Sequence, residues 1–85
     1  DKATFCRTTD KRDHILDYTL DQLEEMLDKN AFFRINRKYV ISPKALQDII
    51  SYTNSRLRLV LKNSDDQDVI VARERVQEFK DWLDQ

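Results

Sequence analysis

Apolar positions recur with two different periods along this chain, and the switches between them mark its elements. Residues 4–9, Thr-Phe-Cys-Arg-Thr-Thr, alternate weakly and predict a strand. Asp10 to Asp13 form a polar turn, and His14 to Tyr18 a second strand, antiparallel to the first if that turn is tight. From Leu20 the period becomes helical. Leu20, Leu23, Met26 and Leu27 share one stripe, which is expected to face the core. Thr19 stands at the N-cap with Gln22 three places on, the spacing of a capping box, and Asp21, Glu24 and Glu25 suit the positive end of a helix. Lys29 and Asn30 are the expected stop.

Ala31-Phe32-Phe33 anchors the next segment, in which Arg34, Arg37 and Lys38 interrupt a run ending Tyr39-Val40-Ile41. Pro43 is placed to start one short helical turn through Lys44 and Ala45. Leu46 to Tyr52 fits either period, and Ile49, Ile50 and Tyr52 tip it toward strand. Thr53-Asn54-Ser55 reads as a turn. Over Arg56 to Lys62 the alternation is clean, with Leu57, Leu59 and Leu61 on one face and Arg58 and Val60 on the other, which predicts a half-buried strand. Asn63 to Gln67 is a polar hairpin loop without glycine, so Asn63 is the expected site of any left-handed backbone. Asp68 to Val71 predicts another strand. Val76, Phe79, Trp82 and Leu83 then return to helical spacing over residues 74–84. Trp82 is expected as a core anchor whose indole N–H needs a partner if buried. The elements predict an α+β unit, mainly β: short antiparallel strands in small sheets with two short helices.

Eighty-five residues support one modest core and a single domain. The absence of glycine excludes the phosphate loops of Rossmann and Walker A sites, which need close backbone approach. One cysteine and one histidine exclude Cys/His zinc fingers and leave Cys6 without an internal disulfide partner. No apolar run approaches a membrane span, and no secretory signal is visible. The net charge of −1 conceals an uneven distribution. Residues 31–62 carry seven Lys/Arg against Asp48 alone, whereas both flanks are acidic. A basic middle of this kind can face phosphate while the ends keep the chain soluble, or it is simply an uneven solvated surface.

Covalent chemistry has little support. His14 is the single imidazole, and Cys6 meets it only across a hairpin, with no orienting group implied by spacing. His14 is read as structural and Cys6 as a small buried apolar group. Asp65 and Asp66 lack the alternating ligands of a calcium loop. The chain is therefore expected not to be an enzyme and to use no cofactor or metal. Phosphate and base contacts are better supported. Arg34, Arg37, Lys38 and Lys44 fall within eleven residues free of acids. The arginine fork fits a phosphate or the O6 and N7 of guanine, and the Asn36 amide fits an adenine edge. Arg73 stands at a strand-to-helix junction, where rigid elements on each side hold it. Each has a plainer role beside this one: Arg73 in an ion pair with Glu74 or another acid, Arg34 in a bond under Phe32 and Phe33.

The stretch Phe32-Phe33-Arg34-Ile35-Asn36-Arg37-Lys38-Tyr39-Val40-Ile41 resembles the LytTR DNA-binding domain family, whose members usually carry His-Arg-Ser at its centre. The preceding amphipathic helix, Val71-Ala72-Arg73 in place of a Val-Ser-Arg signature, and the closing helix extend the resemblance over essentially the whole chain. It implies an elongated assembly of short sheets and small helices whose loops enter successive major grooves of DNA. It also implies base contacts at Asn36, Arg37 and Arg73, and an early contact near Ala3, with Thr4 or Lys2 as substitutes because alanine has no polar side chain. Three departures stand out: Asn36 for histidine, Lys38 for serine, and Ser42 for a closing asparagine, so that a hydroxyl must cap the next turn.

The resemblance implies a sequence-specific, double-stranded-DNA-binding output domain of a bacterial transcriptional regulator, typically a two-component response regulator. The domain is expected to span 1–85, to lack its first strands, and to be cut from a longer cytoplasmic protein that binds repeated half-sites as a homodimer. Phosphate contacts are expected from Arg34, Lys38, Lys44, Arg56 and Arg58, with Lys62 as a further candidate. No small-molecule substrate is expected. The alternative is a protein-interaction module that keeps the fold without DNA, which the near-zero net charge and the replaced histidine favour.

Overall fold

The computed structural model describes residues 3–85 of the chain. Thr4–Arg7 (β1) and Asp13–Leu16 (β2) form an antiparallel hairpin with Cys6 opposite His14. Both strands are shorter than the sequence pattern predicts. Cys6 is exposed rather than buried, because the hairpin stands at the edge of the molecule with neither face fully covered. Leu20–Met26 (α1) begins with the expected capping box: the Gln22 amide donates to Thr19 Oγ1 at 3.1 Å, and the Thr19 amide to Gln22 Oε1 at 2.8 Å. The helix ends earlier than expected, with Leu27 already extended.

Phe33–Arg34 (β3) and Val40–Ile41 (β4) form a second two-stranded antiparallel sheet. One turn of 3₁₀ helix, Pro43–Ala45, leads into Leu46–Tyr52 (β5). Ser42 makes no side-chain cap there, contrary to expectation. Its carbonyl instead accepts from the Ala45 amide at 3.1 Å, and Pro43 has no N–H to cap. Arg56–Leu61 (β6) and Ile70–Val71 (β7) complete a three-stranded antiparallel sheet in the order β5-β6-β7. A second 3₁₀ turn, Arg73–Arg75, runs into Val76–Leu83 (α2).

Among the described residues, the left-handed backbone falls on Lys11, Asn54 and Ser55, not on Asn63. The three-residue connection between β5 and β6 is too tight for ordinary backbone, and without glycine an asparagine and a serine take those angles. The longer 63–68 loop spreads its bend over more residues.

Among the described residues seven apolar side chains are buried: Ile35, Ile41, Leu59, Val69, Val71, Phe79 and Trp82. Phe33, Phe79 and Trp82 pack as a tilted aromatic trio with ring centroids 5.3 to 6.0 Å apart. Trp82 is thus the expected anchor, but its indole N–H is buried without a partner among the described residues. Helix α1 contributes nothing to the fully buried set, and Met26 is 59% exposed. A two-turn helix laid over one side of the core half-buries Leu20, Leu23 and Leu27 and leaves the rest of its stripe outside. The molecule measures 33 × 27 × 26 Å, less drawn out than the resemblance implies.

Candidate nucleic-acid interface

The basic motif folds as the loop between β3 and β4. Ile35 is fully buried and roots the loop in the core. Its amide donates to the Tyr39 carbonyl at 3.1 Å, and its own carbonyl accepts from the Ala72 amide at 3.0 Å. The Asn36 amide works inward: Nδ2 donates to the Ile70 carbonyl at 2.6 Å, while Oδ1 accepts from the amides of Lys38 at 2.7 Å and Tyr39 at 2.9 Å. Arg34 grips the same loop through its carbonyls. Nε donates to the Asn36 oxygen and Nη2 to the Arg37 oxygen, both at 3.0 Å. Its remaining nitrogen faces Glu24 Oε1 at 3.3 Å and the Asp21 carboxylate. No loop residue is left-handed, so the absence of glycine costs this turn nothing.

Held in this way, the loop projects Arg37 and Lys38 into solvent, where neither is in an ion pair among the described residues. They line an open groove together with Arg34, Asn36, Arg56 and Ile70. Strand β6 supplies Arg56 because its alternation turns Leu57 and Leu59 toward the core and Arg56 and Arg58 the other way. Arg56 donates to the Thr53 carbonyl and hydroxyl at 3.1 and 3.0 Å and lies over the Tyr52 ring. Arg58 donates to Gln67 Oε1 at 2.7 Å. The groove is not uniformly basic. Asp21 and Glu24 are engaged by arginines, whereas Asp68, Glu74 and Glu78 also line it without an ion-pair partner among the described residues.

Arg73 is exposed and forms no ion pair among the described residues; it directly follows Ala72, whose amide is bonded to the motif loop. The junction and the loop are thereby stitched together by two hydrogen bonds, Ala72 to Ile35 and Asn36 to Ile70. Lys44 does not join this group. It lies at the far end of the β5-β6 pair, where the Lys62 amide donates to the Ala45 carbonyl. Six residues of strand separate that end from Arg56, about 20 Å at about 3.3 Å per residue. The β1-β2 hairpin is tied to the same far end, through Arg7 to the Asn63 carbonyl and Asn63 Nδ2 to the Thr9 carbonyl. Ala3 is exposed and Thr4 half-buried. Lys2 lies outside the described residues.

Two expected contacts have other employment. Arg34, expected at a phosphate, has a side chain only 15% exposed, with bonds from all three nitrogens to the protein's own acids and carbonyls. Asn36, expected at a base edge, spends its amide on three backbone groups. Sequence spacing shows that both are polar and central, but not that their partners are backbone atoms up to 34 residues away. Arg75 and Glu24 were not legible as site residues at all. Arg75 lies over the Phe33 ring and reaches Glu24 Oε2 at 3.3 Å.

The loop's far end is fixed by Tyr39, whose hydroxyl donates to Asp66. Burial, with the neighbouring Asp66 charge, pushes the Tyr39 phenol up to about 12. The Tyr39 hydroxyl in turn holds the Asp66 carboxyl below its usual range, helped by the Asp68 amide.

The loop and strand β6 bring Arg37, Lys38 and Arg56 to one groove, whose lining also holds as many acids as bases. Among the described residues no group of three or more His, Cys, Asp and Glu is placed to hold a metal ion, and no helix is long and apolar enough to cross a membrane. The chain belongs to the LytTr DNA-binding domain family, whose model matches residues 1–84. It also superposes on a solved LytTr DNA-binding domain from Bacillus cereus, described as that of a methyl-accepting/DNA response regulator. The TM-score is 0.81 at 24% identity, over 98% of this chain and 73% of that one. Curated protein sequences give no significant match.

Proposed function

We propose that this domain binds double-stranded DNA sequence-specifically, as the output domain of a bacterial transcriptional regulator acting in the cytoplasm. The observation that carries this reading is the pair of free cations, Arg37 and Lys38, on a rigid loop that opens onto the same groove as Arg56. Arg37 and Arg73 read base edges, where a planar fork can bridge guanine O6 and N7. Lys38, Arg56 and Arg58 neutralise phosphates and set the register on the duplex. Lys44 and Lys62, about 20 Å along the sheet, reach a more distant stretch of backbone. Arg34 and Asn36 act through the loop rather than on the DNA. The domain acts as a homodimer on repeated half-sites, an arrangement that adds affinity because linkage raises the effective concentration of the second domain. The name of the Bacillus cereus neighbour supports a place downstream of a response-regulator signal.

Selection of bound duplexes from a random pool tests this reading, with Arg73→Ala and Arg37→Ala copies run alongside. An enriched motif that relaxes at one position in each variant, at a cost of roughly 1–3 kcal/mol, supports it. Absence of enrichment with the wild-type domain sinks it.

A second reading, a protein-interaction module, is favoured by Phe5 and Ile15. They are cross-strand partners on the β1-β2 hairpin and are 58% and 74% exposed. Salt separates the two: phosphate binding weakens steeply with ionic strength, whereas a mostly apolar interface does not.

A further inference from the structure

We infer that Glu24 is a positioning residue that sets the two DNA-reading arms relative to each other; this rests on the DNA-binding reading above. Its two carboxylate oxygens face different arginines, Oε1 toward Arg34 and Oε2 toward Arg75, each at 3.3 Å. Arg34 is the clamp on the carbonyls of Asn36 and Arg37, so it fixes the loop that presents Arg37 and Lys38. Arg75 closes the 3₁₀ turn that begins at Arg73, with its amide donating to the Ala72 carbonyl at 2.8 Å. It is braced against the Phe33 ring 5.3 Å away, next to Arg34 in β3. One carboxylate on α1 therefore joins two segments that lie about forty residues apart in sequence and carry the two proposed base-reading side chains.

The arrangement is sensitive to this one group. Glu24 is 35% exposed, Arg34 15% and Arg75 27%, so the three charges meet where solvent screens them only in part. The other acid on Arg34 is Asp21, one helical turn earlier; it makes the closer contact but is 87% exposed, so solvent screens it more, and it does not reach Arg75. Without the Glu24 charge, the two guanidinium groups lose the one carboxylate that faces both of them, and Asp21 remains on Arg34 alone. Without the outer grip the loop rests on its Asn36 bonds alone, and those bonds open more often.

Glu24→Gln tests the inference, since it preserves shape and removes the charge. Affinity for the selected duplex is expected to fall roughly three- to thirtyfold, the range seen for residues that act through a coupled network. In the DNA-free domain, amide exchange should speed up at Lys38, Tyr39 and Ala72, while the core Leu59 amide stays protected. Combined with Arg37→Ala, the two losses should be less than additive, because Glu24 acts by holding the loop that carries Arg37. A general loss of stability would not give that signature. If Glu24→Gln unprotects Leu59, Glu24→Asp takes its place, as it keeps the charge but is too short to reach both arginines. Unchanged exchange at Lys38, Tyr39 and Ala72, or fully additive losses, overturns the inference. If the wild-type domain selects no duplex, the DNA-binding reading fails, and the exchange measurement alone still decides whether Glu24 couples the two segments.

Discussion

The Asn36 side chain donates to the carbonyl oxygen of Ile70 at 2.6 Å, which fastens the basic loop to the last strand of the three-stranded sheet. The same amide receives the Lys38 and Tyr39 N–H groups, so three of the loop's hydrogen bonds converge on one side chain. A residue so engaged shapes the surface instead of reading a base. Asn36→Ala should destabilise the fold by about 1–3 kcal/mol, because it leaves half-buried backbone groups without partners. It should weaken binding to all duplexes by a similar factor and leave the preferred sequence intact. Urea unfolding together with selection from a random pool checks both halves.

Lys38 differs from Asn36 in that its side chain makes no hydrogen bond or ion pair among the described residues. Lys38→Ala should leave unfolding nearly unchanged and weaken all sequences alike. It should reduce the slope of log affinity against log salt by about 0.9, one phosphate's worth of counterion release. A titration of one duplex across several salt concentrations gives the number.

The acids of the groove predict the opposite change. Glu74 and Glu78 line it with no ion-pair partner among the described residues, and each repels a phosphate approaching Arg37 and Lys38. Glu74→Gln and Glu78→Gln should each strengthen binding, more so at low salt, with the gain seen equally on matched and unmatched duplexes.

The Tyr39–Asp66 contact makes stability depend on pH at both ends of the range. Asp66 is held below its usual range by the Tyr39 hydroxyl, so its contribution is present above about pH 4, the unfolded carboxylate value, and is lost as pH falls through the lower folded value. Tyr39, raised by burial and by Asp66, contributes fully below about pH 10, its unfolded value, and loses that contribution as pH rises toward about 12. The stability difference between wild type and Tyr39→Phe should therefore form a plateau near neutrality and shrink in both acid and alkali. Denaturant unfolding of both proteins at pH 3, 7 and 10.5 follows it.

Packing gives the largest expected effect. Phe79 is fully buried against Phe33 and Trp82, and Phe79→Ala should cost about 3–5 kcal/mol, a large share of what a small domain has. Thr19→Ala, which removes half of the α1 capping box, should cost about 1 kcal/mol. Thermal unfolding orders the two.

Most elements were legible because they depend on local rules. The Thr19–Gln22 cap, the turn begun by Pro43, the strand Leu46–Tyr52 and the alternation of β6 all follow from residue type and spacing within a few positions. The errors have tertiary causes. The Met26 side of α1 is exposed because no element packs over it, and Cys6 is exposed because its hairpin is covered on neither side. Left-handed backbone moved from Asn63 to Asn54 and Ser55, since the length of the connection decides where the chain must turn sharply.

By itself, the sequence determined the order of the strands and helices other than the two-residue strand Phe33–Arg34, the basic segment ending in Tyr39-Val40-Ile41, and the family to which that order belongs. Each of these rests on hydrophobic period and on residue types close together in the chain. Only the tertiary structure decided which charges are free. Arg34 and Arg37 stand three residues apart and look alike in sequence. The fold surrounds the first with Asp21, Glu24 and two carbonyls and leaves the second in solvent. A charge's role is set by what packs around it, and those partners come from α1 and from the loop itself, segments that only folding brings together.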